Sequence, residues 1–166
     1  MMIRLAAALF LLPLVLAGCK PDNPTPTAEV LTYGVYRITR PDTSRAAAPG
    51  ERVVATRVEH ERQTETVPAT LNGNFGFEFS VRGLPAQKSL VFDLRARHPP
   101  IVGTDGVSRT ESVSSLPVYT ANGNYSNAFI FQFDRAEDLQ AGPWVLQVAL
   151  QGRILAERTF QVTVAR

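Results

Sequence analysis

The sequence predicts an all-β protein, an antiparallel immunoglobulin-like β-sandwich of about eight strands. Three observations carry this. Apolar and polar residues alternate at period two in five separate segments, which marks strands with one buried and one wet face. Gly, Asn and Pro clusters punctuate the chain between those segments. No stretch beyond the first 18 residues shows a sustained helical period.

The elements follow in order. A first strand is expected over 29–38 and a second over 53–66. Phe75, Phe77 and Phe79 alternate with Gly76 and Glu78. Leu90, Phe92, Leu94 and Ala96 alternate with Val91, Asp93, Arg95 and Arg97. A polar strand is expected over 108–119. Phe129, Phe131 and Phe133 then alternate with Ile130 and Gln132. Trp144, Leu146, Val148 and Leu150 form the seventh stripe, and Phe160, Val162 and Val164 the eighth. Turns are expected at Asn72-Gly73, Pro85, Pro99-Pro100, Asp105-Gly106, Asn122-Gly123, Gly142-Pro143 and Gln151-Gly152. Residues 135–140 have room for one short helical turn. The Cys–Trp–Cys signature of antibody domains is absent, so the reading concerns architecture only. The two Phe stripes face inward and fill the space that an inter-sheet disulfide would otherwise brace.

Composition narrows the partners. The chain has 166 residues, 45% hydrophobic and 19% charged, with net charge +2. That excludes a strongly basic nucleic-acid binder, and no nucleic-acid partner is expected. One cysteine excludes a disulfide framework and a multi-cysteine metal site.

The first 18 residues are a different material. Arg4 is their one charge, and an apolar run follows from Leu5 to Leu16. The run is shorter than the roughly 20 residues a membrane-spanning helix needs. It reads as a secretory signal peptide over 1–18. Leu16-Ala17-Gly18-Cys19 resembles the lipobox of bacterial lipoproteins. The resemblance implies that the Cys19 thiol takes a diacylglyceryl group and that the chain is cut just before it. The membrane partner would then be lipid, through acylated Cys19, and the protein anchored rather than spanning. Lys20 follows, and in Gram-negative lipoproteins a residue other than Asp there favours the outer membrane. The expected location is the cell envelope, on the outer membrane facing the periplasm. Residues 19–27 form the lipidated cysteine and a Pro-rich tether, whose three prolines favour extended backbone. Residues 28–166 form the sandwich domain.

Several segments together resemble an uncharacterised family of small exported bacterial proteins, a domain of unknown function. They are Val67-Pro68-Ala69, Gly73, Phe75-Gly76, Arg97-His98-Pro99-Pro100, Leu139, Gly142-Pro143-Trp144, Leu155-Ala156-Glu157, Phe160 and Val162. The family commonly has Pro-Gly-x-Trp where this chain has Ala-Gly-Pro-Trp. The resemblance implies a β-rich exported domain and supplies no catalytic residues.

Chemistry-bearing sets are sparse. His60 and His98 are the two histidines, and a zinc site wants at least three convergent ligands. No metal site and no cofactor are expected. There is no Gly-x-Ser-x-Gly elbow and no Gly-rich phosphate loop. The protein is expected not to be an enzyme. Binding is expected on loops. One is 99–109, with His98 at its entrance and Asp105 within it. The other is 119–127, with Tyr119 and Tyr125 placed to stack on a glycan or peptide. The plainer reading of His98 is a ring that bonds loop backbone beside Pro99-Pro100. The plainer reading of Tyr125 is a cap on the core edge. The expected role is a non-catalytic protein-binding or assembly module with an envelope protein partner. The alternatives are a carbohydrate- or peptidoglycan-binding domain and, third, a hydrolase built around His98.

Overall fold

The computed structural model describes residues 25–39 and 57–164. The chain forms nine strands: β1 (Thr27–Thr39), β2 (Arg57–Arg62), β3 (Thr66–Pro68), β4 (Asn74–Arg82), β5 (Lys88–Val102), β6 (Ser108–Thr120), β7 (Tyr125–Gln132), β8 (Gly142–Leu150) and β9 (Arg153–Thr163). A single 3₁₀ turn, Ala136–Asp138, falls inside the segment with room for one. Two sheets face each other, one in the order β2-β1-β4-β7 and the other β3-β9-β8-β5-β6. All pairings are antiparallel except β3 with β9.

Two expected boundaries change. The strand expected over 53–66 is two strands in different sheets: β2 pairs with β1, while β3 pairs with β9. The chain crosses between sheets at 63–65, so the pairing partners, not a Gly or Pro, set the break. Beyond Arg97 the expected turn at Pro99-Pro100 is continuous strand, and β5 runs to Val102. The prolines are tolerated because no ladder needs their missing N–H. The pairing of β5 with β8 ends at Arg97, and its pairing with β6 shifts register between Arg97 and Ile101. Gly142, at φ +134°, gives way to the same corner. A Cβ there would lie 2.9 Å from Pro99 Cγ.

Alternation fills the space between the sheets. Phe75, Phe77 and Phe79 are all fully buried, as are Trp144, Leu146, Val148, Phe160 and Val162. Phe75 is the hub. Its ring lies 5.2 Å from those of Phe133 and Phe160 and 5.8 Å edge-on from Trp144. The indole N–H of Trp144 donates to the Gln140 carbonyl at 3.0 Å, so the buried donor is satisfied.

Strand direction fixes two ends of the sandwich. Thr27 pairs with Arg82, and Val81 pairs with Tyr125. At the other end, Tyr36 pairs with Asn74, and Asn74 with Gln132. The start of β1 and the start of β7 therefore share one end, and the finish of β7 marks the other. Cys19 lies outside the described residues, as does most of the tether.

Candidate functional site: a cleft between two open sheet edges

The two sheets are unequal, and that difference makes the site. β7 ends the four-stranded sheet and β6 ends the five-stranded sheet. Among the described residues no strand lies beside β7 to cover the inner face of the β5–β6 ribbon. The result is an open cleft of about 740 Å³. Leu94 and Ala96 from β5 and Phe129 and Phe131 from β7 give it an apolar floor. Phe131 faces inward as expected, but it is only half-buried, because it sits at this opening. Its ring is 4.8 Å from Trp144. The inner wall of β6 carries Ser112 and Ser114, both exposed.

The rim is charged. Four carboxylates, of Asp105, Glu111, Asp134 and Asp138, line the cleft against the guanidiniums of Arg109 and Arg135. Asp138 is only 5% exposed. It accepts from the Arg135 backbone N–H and from Arg135 Nη2, both at 3.1 Å, which locks the 3₁₀ turn. Glu111 lies 3.6 Å from Arg97 across β5 and β6. Asp134, also on the rim, is exposed.

Asp105 closes the loop at 103–107. Its carboxylate takes Arg109 in a two-point grip, Nη2 at 2.6 Å and Nη1 at 3.0 Å, and accepts from the Val107 N–H at 3.0 Å. Hydrogen bonds from Arg109, then from Val107, hold its carboxyl well below the usual carboxylate range. A depressed folded pKa means the grip is complete above the ordinary carboxylate value and is lost as pH falls through the lowered one. The loop is therefore expected to keep its Val107 amide protection at about pH 4, near the ordinary carboxylate value. In Asp105→Asn, hydrogen exchange at Val107 should accelerate at neutral pH while the unfolding midpoint barely moves. Unchanged exchange would mean that the grip does not order the loop.

His98 also borders the cleft. Its Nδ1–H donates to the Pro99 carbonyl at 2.8 Å, and its ring lies 4.9 Å from Trp144. The bond goes to backbone, as the plainer reading of His98 has it, rather than to a carboxylate. His60 is on β2, where Nε2 is 2.9 Å from the Tyr33 carbonyl. Among the described residues, no group of three or more His, Cys, Asp or Glu side chains is placed to hold a metal ion.

Of the four expected binding residues, the fold brings together two, His98 and Asp105. The two tyrosines stand apart from that pair. Tyr125 packs on the core, stacked 5.6 Å from Phe92, and its hydroxyl accepts from Asn127 at 2.5 Å. Tyr119 is 65% exposed, but on the outer face of β6, since Val118 and Thr120 are the buried neighbours. The two therefore do not form an exposed aromatic pair. Sequence reading missed the floor, Phe129 and Phe131, as a surface. One signal was available: the inward positions of β6 hold Thr110, Ser112 and Ser114 where a covered strand would hold apolar side chains.

The class defined by this geometry is an immunoglobulin-like β-sandwich with a cleft that is open among the described residues. The chain belongs to the family described as a domain of unknown function, DUF3859, whose model matches residues 25–162. A solved structure described as an immunoglobulin-like protein from Pseudomonas aeruginosa is similar over 86% of this chain and 99% of its own, with TM-score 0.63 and 20% identity. That likeness shows the fold. Weaker likenesses include an alkylpurine DNA glycosylase from Pseudomonas fluorescens bound to DNA, with TM-score 0.41, 16% identity and 59% of this chain covered. Another is a β-glucosidase from Listeria innocua in complex with gluconolactone, with TM-score 0.41, 7% identity and 83% covered. This chain spans only 27% and 16% of those two. Among curated proteins no match is found.

Proposed function

We propose that this chain is an envelope lipoprotein whose sandwich is a non-catalytic protein-binding module. Acylated Cys19 holds it to the outer membrane, facing the periplasm, and the cleft between β6 and β7 meets an envelope protein partner. One observation carries the reading: the exposed β6 and β7 edges flank an apolar floor, away from the end where β1 starts. Phe129 to Gln132 lie beyond Tyr125 along β7, and the full strand rises about 23 Å. An anchor ahead of Thr27 would leave that mouth pointing away from the bilayer. Unpaired sheet edges are templates for partner strands, and a protein that keeps one beside an apolar floor has a use for it.

Two experiments test the two halves. Metabolic labelling with a clickable fatty acid should mark the wild-type chain and spare Cys19→Ala; equal labelling would remove the anchor. Crosslinking in native envelopes should recover a partner with the wild type and lose it with Cys19→Ala. No recovery above that control would sink the binding role.

A further inference from the structure

We infer that the end of the sandwich where β1 starts is a cationic seat for an anionic bilayer surface, with phospholipid headgroups as its partner. The inference deepens the anchored reading proposed above and rests on it.

Strand direction sorts the charges. At the end where β1 starts, the chain turns through residues 83–87, 121–124 and 151–152. None of these connections carries an Asp or Glu. The strand ends beside them bring Arg82 from β4, Lys88 from β5 and Arg153 from β9, all exposed. Among the described residues, none of these cations joins an ion pair. The first carboxylate from this end is Glu29, inside β1 opposite Ser80. The far end differs. Its connections 103–107 and 133–141 hold Asp105, Asp134, Glu137 and Asp138 against Arg135. Among the described connections and their flanks, charge is therefore polarised along the strands, positive toward the start of β1.

Both sheets contribute to the positive end. Arg82 belongs to the four-stranded sheet, Lys88 and Arg153 to the five-stranded one. Cations spread over a whole end match a plane of negative charge better than a single phosphate. Tyr119 adds an amphipathic rim. It is 65% exposed, and its neighbour Thr120 pairs with Lys88. Tyrosine rings favour the headgroup level of a bilayer.

Distance decides whether such cations count. Eight residue steps separate Cys19 from Thr27, so an acylated Cys19 keeps Thr27 within about 30 Å of the bilayer. The surface field fades over about 8 Å at physiological ionic strength. The tether thus permits both a lifted and a seated domain, and the cations select the seated one. Lys20 and Asp22 within the tether offset each other. Each Lys or Arg held near an anionic surface strengthens attachment about fivefold, and three together about a hundredfold.

The test compares vesicles of phosphatidylcholine alone with vesicles that also contain phosphatidylglycerol. Full-length Cys19→Ala is used for co-sedimentation, because acyl chains would make partition irreversible. The readout is the ratio of partition into the two vesicle types, which removes apolar contributions common to both. The ratio should approach about a hundredfold at low salt and shrink as salt rises. Arg82→Gln, Lys88→Gln and Arg153→Gln should each lower it about fivefold. Arg57→Gln, at the far end beside Thr39, should leave it unchanged. With the acylated wild type reconstituted in the same vesicles, amide exchange at 83–87 and 151–152 should slow on the anionic ones, while exchange at 103–107 stays as it was. A ratio unmoved by neutralising all three cations together overturns the seat, and so does protection at 103–107 instead. Fatty-acid labelling of Cys19 with a ratio near one keeps the anchor and removes the seat. An intact ratio without labelling does the reverse.

Discussion

Phe75→Ala is expected to lower the unfolding free energy by about 3–5 kcal/mol, the range for truncating a fully buried Phe. Phe75 is 0% exposed and its ring meets four others, those of Phe131, Phe133, Trp144 and Phe160. These partners come from both sheets and from the segment after β7. Phe131, Phe133 and Trp144 are not free to collapse into the hole, because their rings also hold one another and Trp144 is bonded to Gln140. The cavity term should therefore be near its full size. For a domain of this length the midpoint should fall by about 10 °C or more. Phe131→Ala removes the same number of atoms from the same inward face. Phe131 already borders solvent at the cleft floor, so less water-excluded surface is lost and the cost should be clearly smaller. Equilibrium urea denaturation of the two variants decides this. Equal losses would mean that the mouth at β7 is closed in solution and the cleft does not exist as described.

That contrast shows where sequence reading stops. Alternation identified the inward faces, because side-chain direction in a strand is a local property. It therefore gave both Phe75 and Phe131 the correct face. How deep each lies depends on whether another strand covers the spot, and that is decided by pairings between segments far apart in the chain. The split of the 53–66 strand into β2 and β3 has the same cause. Nothing at Gln63-Thr64-Glu65 breaks a strand, yet the partners of the two halves lie in opposite sheets. The cleft was half visible. Asp105 stands in the Asp105-Gly106 turn, which flags it, whereas His98 was flagged by an expected turn at Pro99-Pro100 that is continuous strand. Phe129 and Phe131 look like ordinary core residues, and they border the cleft because, among the described residues, no strand lies beside β7. Tyr125 goes the other way: a tyrosine beside a turn looks available, but it is partly buried and stacks on Phe92 at the core edge.

Gly76→Ala is expected to cost about 3 kcal/mol or more, at or above the usual limit for overpacking. A Cβ at Gly76 would lie 2.0 Å from the Phe129 carbonyl oxygen and 2.9 Å from the Ile130 Cα. Both obstacles are backbone, so no side-chain rotation relieves them, and β7 itself has to move. Gly76 pairs with Gly34 of β1 on its other side, where a Cβ would lie 2.0 Å from the Arg62 carbonyl. Two glycines abreast thus let four strands approach closely across one sheet. Gly152→Ala is the control. Gly152 has φ +80° and open space around it, so the variant suffers only the left-handed backbone penalty, about 1–2 kcal/mol. Thermal and urea unfolding should rank Gly76→Ala well below Gly152→Ala. A reversed ranking would show that β7 can shift outward freely. Moving β7 also moves Phe129 in the cleft floor, so Gly76→Ala should weaken crosslinking to the envelope partner even at temperatures where the domain stays folded. The glycine that no ligand would touch then matters as much to the cleft as the aspartate on its rim.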